Sequence, residues 1–236
     1  IEDGLAAQGI HTDFIHLPEG NSRINVKVKH GDETEINGQG PVITEEAINE
    51  LFAKLDTLTK EDILVLAGSI PNTLPEDIYE KILASLESKG IRVVVDATKD
   101  LLLNVLKYHP FLIKPNNHEL GEMFGTVCKT DEDIVHYAKK LQEKGAVNVL
   151  ISMAGDGAIL ITEDGQNIKM GTPKGKVVNS VGAGDSMVAG FITGYIRGGN
   201  YEEALKSGTA AGSATAFSEG LASLEMYEKM LKQITE

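Results

Sequence analysis

The sequence predicts an α/β fold with a mostly parallel sheet covered by helices, preceded by a small strand-built appendage, and three observations carry that prediction. From Thr44 onward, long amphipathic stretches alternate with short unbroken apolar runs at 63–67, 93–95, 111–113 and 147–151. Runs without alternation are buried on both faces, as the strands of a parallel sheet are. Helix start and stop signals fall between the runs. Before residue 41 the pattern changes to two short segments of period two, 12–17 and 24–29, the mark of strands with one exposed face.

Taken in order, the chain opens at Ile1 inside Ile1-Glu2-Asp3-Gly4-Leu5-Ala6-Ala7, which reads as the end of a helix, so an N-terminal segment is expected to be missing. Residues 1–10 are assigned to the end of a core helix, 11–40 to the strand appendage, closed by the Gly-rich stretch at 38–41, and 41–236 to the α/β core. Within the core, Pro75-Glu76-Asp77 opens a helix and Thr130-Asp131-Glu132-Asp133 forms a capping box. Gly90 and Gly145 close helices ahead of strands. In such sheets ligands gather at the carboxyl ends of the strands.

Composition narrows the function. A chain of 236 residues, 42% of them apolar, buries a sizeable core. A formal charge of −13 argues against coating nucleic acid or anionic lipid, whereas a small anionic substrate needs only a local positive pocket. Cys128 is the only cysteine, so no internal disulfide forms and a reducing cytoplasmic compartment is expected. No segment reads as a signal peptide or as an apolar run long enough to cross a bilayer.

The strongest local signal is Asn179-Ser180-Val181-Gly182-Ala183-Gly184-Asp185-Ser186, which runs into a helix with Val188, Phe191, Ile192 and Tyr195 on one side. Glycines at a helix start let backbone N–H groups face an anion. A dinucleotide fingerprint would need a third glycine where Met187 stands, which argues against a dehydrogenase. Two readings of Asp185 stay open at this level. It complements the helix dipole, or it is a general base beside a nest formed by Gly182, Ala183 and Gly184 that holds a transferring phosphoryl group.

Gly182-Ala183-Gly184-Asp185 with its flanks resembles the second signature of the phosphofructokinase B, or ribokinase-like, sugar kinases, and further stretches match in the family's order. Lys114-Pro115-Asn116-Asn117-His118-Glu119 resembles the Asn-x-x-Glu motif, Ser152-Met153-Ala154-Gly155-Asp156-Gly157 the nucleotide-phosphate loop, and Ala210-Ala211-Gly212-Ser213-Ala214 the border of the adenine ring. Ala67-Gly68-Ser69-Ile70-Pro71 and Ser22-Arg23-Ile24-Asn25-Val26-Lys27 are similar to the branch that accepts phosphorylated ketohexoses.

The resemblance implies a three-layer α/β/α core with part of a small β lid, and transfer of the γ-phosphoryl group of ATP. Asp185 would be the base, Lys114 would face the nucleotide phosphates, and Asn116 and Glu119 would act near Mg2+ through its waters. Ser152, Gly155 and Gly157 would border the phosphates, Gly212 and Ser213 the adenine. Arg23, Lys27 and Ser69 would bind the sugar phosphate. The implied acceptor is fructose 1-phosphate, with tagatose 6-phosphate as runner-up and a non-catalytic sensor of the same fold as a rival. A homodimer through the lid is expected. Each motif has a plainer reading: Asn116 as a helix cap, Glu119 as a first-turn acid, residues 152–158 as a hairpin, Gly212 as a packing residue, and Arg23 and Lys27 as solvated edge charges.

Overall fold

The computed structural model describes residues 1–30 and 32–235; the side chains of residues 27, 29, 30, 32–35 and 235 lie outside the described set. The elements in chain order are α1 (Glu2–Ala6), β1 (Asn25–His30), β2 (Asp32–Asn37), α2 (Glu45–Asp56), β3 (Ile63–Ala67), α3 (Ile78–Leu86), β4 (Arg92–Asp96), α4 (Lys99–Val105) and β5 (Leu112–Ile113). They continue with α5 (Asn117–Met123), α6 (Asp131–Glu143), β6 (Asn148–Ser152), β7 (Ala158–Ile161), β8 (Asn167–Met170), α7 (Ala183–Gly198), α8 (Tyr201–Ala216) and α9 (Leu224–Thr235). They fall into two compact units, one holding residues 1–62 and 70–91, the other residues 63–69 and residue 92 onward. Among the described residues no helix is long and apolar enough to cross a membrane.

In the first unit β1 pairs antiparallel with β2, placing Val26 opposite Ile36. The segment at 12–17, expected as a strand, is irregular instead. An alternating segment forms a strand only against a partner's ladder, and here its side chains turn to α1: Thr12 donates to the Glu2 carboxylate and His16 Nε2 lies 3.0 Å from it. Thr44 caps α2 by accepting the Ala47 N–H at 3.2 Å. Pro75 precedes α3 and accepts the Ile78 N–H at 3.1 Å.

The second unit contains a six-stranded sheet in the order β3-β4-β5-β6-β7-β8. The four apolar runs become β3 to β6 and pair in parallel, while β7 and β8 add antiparallel strands at one edge. Because side chains alternate along strands, Val94, Leu112, Leu150 and Leu160 face one side, where Met187, Val188 and Phe191 of α7 and Ala204 and Leu205 of α8 close the core. Strand neighbours Val95, Ile113, Val149 and Ile151, fully buried, point to the other, where α5 and α6 pack on the sheet. The result is an α/β/α arrangement of three layers. Thr130 and Asp133 form the expected reciprocal cap of α6.

Helices α7 and α8 approach closely along a seam of small residues. A Cβ on Gly190 would lie 2.6 Å from the Ser207 carbonyl oxygen and 2.7 Å from the Ala211 Cβ, and one on Gly212 would lie 3.0 Å from the Ala183 carbonyl oxygen. Gly212 therefore packs against the start of α7. In an open helix Gly→Ala is stabilising by up to about 1 kcal/mol. Here the sign reverses, since overpacking costs ~1–3 kcal/mol, so Gly190→Ala is expected to lower the urea midpoint of unfolding.

Candidate active site

The carboxyl ends of β3, β4, β5 and β6 lead into Gly68-Ser69, Asp96, Lys114 and Ser152. The Gly68 N–H donates to the Asp96 carbonyl at 3.1 Å, tying the first two strand ends together. Lys114 sits at the centre. Its side chain is only 7% exposed and its Nζ lies 3.2 Å from Asp96 Oδ1. Burying an ammonium without an anion costs several kcal/mol, so the pairing with Asp96 is what lets β5 end in a buried lysine.

The same ammonium reaches the glycine turn. Gly182 caps α7 in the left-handed region at φ 79°, and Asp185 lies in the helix's first turn. Asn179 Oδ1 accepts the Val181 N–H at 3.2 Å and Ser180 O accepts the Ala183 N–H at 3.2 Å, so the approach to the helix is folded locally. A Cβ on Gly184 would stand 3.1 Å from Lys114 Nζ; the glycine is what allows the lysine that close to the backbone. The N–H groups of Gly184 and Asp185, inside the first turn, have no intrahelical acceptor by position. Asp185 itself is exposed.

Asn116 and Glu119 form the cap of α5. Asn116 Oδ1 accepts the N–H groups of His118 and Glu119 at 2.9 and 2.8 Å, and Glu119 Oε2 accepts the Asn116 N–H at 2.8 Å. One carboxylate oxygen of Glu119 is thus committed to the box. Ser152 bridges to Asn116 and donates its N–H to the Pro115 carbonyl, which sets this strand end against the α5 cap. Residues 152–158 form the turn of the β6–β7 hairpin. There Gly157 has φ 93° and Ala154 adopts φ 48°. The Gly155 carbonyl accepts the Thr172 hydroxyl at 2.9 Å. Gly212 and buried Ser213 lie on α8.

Arg23 and Lys27 belong to the first unit. Arg23 precedes β1 and packs its side chain near Gly38 and Gly40, and the side chain of Lys27 lies outside the described residues.

Asp96 is the residue the sequence reading missed. Burial pushes its carboxyl above the ordinary 3.8; Lys114 pulls it down, and the charges of Asp185 and Glu119 push it up again. Three carboxylates and one ammonium therefore share one electrostatic neighbourhood. The available signal was positional: an acid closing a buried strand, beside a strand closed by lysine.

A parallel sheet whose strand ends present an acid at a glycine-bounded helix start, with a buried lysine against that turn, defines a phosphotransferase of the α/β class. Comparison with known proteins gives the class a family. The pfkB family carbohydrate kinase model matches residues 1–226. The chain is 49% identical over 234 residues to the 1-phosphofructokinase of Bacillus subtilis, covering 99% of this chain and 77% of that one. It is 37% identical to the D-tagatose-1-phosphate kinase of Bacillus licheniformis, with 99% and 77% covered. A crystal structure from Staphylococcus aureus superposes with a TM-score of 0.89 at 45% identity, covering 99% and 76%. The ribokinase of Arabidopsis thaliana, at 22% identity and a TM-score of 0.72 over 92% and 73%, shares the fold. The chain belongs to the pfkB family of carbohydrate kinases, ATP-dependent enzymes that phosphorylate sugars.

An acid whose folded-state value is raised binds its proton more tightly when folded, so the stability it contributes is present below 3.8 and lost as pH rises through the raised value. Lys114→Met removes the downward pull. The Asp96 carboxyl is expected to titrate at a still higher pH in carboxyl carbon NMR, and stability is expected to fall over a correspondingly wider pH span above 3.8.

Proposed function

We propose that the protein transfers the γ-phosphoryl group of ATP to fructose 1-phosphate, giving fructose 1,6-bisphosphate. The observation that carries the reading is the meeting of Lys114, Asp96 and the Gly182–Asp185 turn, in a chain nearly half identical to a 1-phosphofructokinase. In this reading Asp185 accepts the proton of the acceptor hydroxyl while its oxygen bonds to the γ-phosphorus and the bond to the ADP oxygen breaks. At the turn formed by Gly182, Ala183 and Gly184, the N–H groups of Gly184 and Asp185 face the transferring oxygens, and Lys114 offsets nucleotide phosphate charge.

Magnesium fits the oxygen chemistry of the site. Burial raises the Asp96 carboxyl, and the nearby charges of Asp185 and Glu119 add to that rise; a divalent cation would relieve this clustering of carboxylates. Asn116 and Glu119 would hold the ion through its waters, since it keeps much of its hydration shell. Bound there, it would neutralise phosphate oxygens.

Ser152, Gly155 and Gly157 are assigned to the phosphate side of the nucleotide, Gly212 and Ser213 to the adenine side, and Arg23, Lys27 and Ser69 to the sugar phosphate, where an arginine fork suits an anion. Tagatose 1-phosphate is the second acceptor to consider, because a kinase for it is among the relatives. Tagatose 6-phosphate stays beside it as the alternative that the motif resemblance implies.

The β1–β2 hairpin supports pairing of two copies. Ile24, Val26, Val28 and Ile36 are exposed, and alternation together with the pairing of Val26 with Ile36 puts them on one face. Val26→Asp is expected to convert a dimer to a monomer in sedimentation velocity; an unchanged sedimentation coefficient would remove the lid as the interface.

A coupled ADP-release assay on the product of the intact gene tests the activity, with fructose 1-phosphate, tagatose 1-phosphate and fructose 6-phosphate offered in turn. Turnover is expected with fructose 1-phosphate and is expected to drop by about 10²–10⁴-fold in Asp185→Ala, with ATP affinity retained. Turnover that survives Asp185→Ala would dismiss it as the base. A wild type that binds ATP but releases no ADP with any sugar would favour the sensor.

A further inference from the structure

The turn that carries Asp185 is approached from α8 by the Ala216 carbonyl, which accepts the Val178 and Asn179 N–H groups at 2.8 and 3.1 Å just before it, and by the side chain of Thr215. Ser186 follows Asp185 and belongs to the same turn, its N–H donating to the Gly182 carbonyl at 2.9 Å. Its hydroxyl lies 2.8 Å from Thr215 Oγ1, a residue distant in sequence and only 2% exposed. The same oxygen accepts the Ala222 N–H at 3.3 Å, from the α8–α9 connection. The Thr215 methyl group and Leu221 stand 4.0 and 3.1 Å from the place a Cβ on Gly182 would take. The hydroxyl of Thr215 thus grips the far side of the turn while its methyl group backs the left-handed residue that starts it.

We infer that Thr215 is a positioning residue for phosphoryl transfer, fixing Asp185 through Ser186 and Gly182 without itself meeting substrate. The inference rests on the reading of Asp185 as the base. A base must stand in hydrogen-bond reach of the attacking hydroxyl, and a displacement of about 1 Å can cost on the order of 10²-fold in rate. Asp185 is exposed, so its placement comes from the backbone it sits on, and Thr215 is the side chain that bonds to that turn itself, beyond the backbone bonds of Ala216 to the residues before it.

The experiment compares Thr215→Val, which keeps the shape and removes the hydroxyl, with Thr215→Ser, which keeps the hydroxyl, in the product of the intact gene with ATP and fructose 1-phosphate. Thr215→Val is expected to lower kcat about ten-fold or more and to leave KM for ATP within about two-fold, while Thr215→Ser restores kcat. Adding Ser186→Ala to Thr215→Val is expected to bring no further loss, since both remove one interaction. Unchanged kcat in Thr215→Val, a loss that persists in Thr215→Ser, or losses that multiply in the double variant would each overturn the inference. Should Thr215→Val fail to fold, Ser186→Ala breaks the same bond from the other side and carries the same expectation: kcat reduced, KM for ATP kept. Asp185→Ala separates the two levels. A dead Asp185→Ala beside a fully active Thr215→Val sinks only the positioning role, and a fully active Asp185→Ala sinks the base and the positioning role together.

Discussion

A buried ammonium organises this site. Lys114 closes β5 inside the protein, and its charge is tolerable there only because Asp96 closes the neighbouring strand at 3.2 Å. Parallel pairing of β4 and β5 delivers that proximity: with Val95 opposite Ile113, the residues that follow emerge side by side. The lysine then dictates what may stand above it. Gly184 comes so close that a side chain there would crowd the ammonium, and the helix that begins there brings Asp185 with it. One ion pair therefore links sheet register, the glycine turn and the proposed chemistry.

Much of the architecture was legible in the chain because burial on both faces writes itself plainly. The runs that became β3, β4, β5 and β6 contain no alternation, and their neighbours carry recognisable caps such as Thr130 and Asp133. What escaped was structure whose cause lies elsewhere in the molecule. The partner of β1 is Asp-Glu-Thr-Glu-Ile-Asn, nearly all polar, so its pairing has no hydrophobic signature. The segment at 12–17 has the alternation of a strand and none of the partners.

The site divides in the same way. The glycine turn and the Asn116–Glu119 box are local, each closed within a few residues, so the spacing marks them as caps and turns, and the resemblance is what suggests their part in the site. Asp96 and Thr215 could not, because each matters through a contact made across the fold. An aspartate after a strand and a threonine in a helix are ordinary until Lys114 and Ser186 are seen beside them. The plainer readings also hold as geometry: Asn116 is a cap, residues 152–158 are a hairpin turn and Gly212 is a packing residue. A cap and a ligand-facing residue need not be alternatives, since a carboxylate locked by one oxygen presents the other in a fixed direction.

The seam between α7 and α8 carries a consequence for how the sequence can drift. Gly190, Gly194 and Gly208 set backbone against backbone, with Ala183 and Gly212 meeting at the end nearest the turn. No slack remains for one helix to slide past the other, so the pair behaves as a single stiff beam beneath the proposed phosphoryl site. A larger residue on either side has to be matched by a smaller one opposite. Substitutions along this line are thus expected to arrive as correlated pairs among relatives, whereas the outward faces of the same helices are free to change one residue at a time.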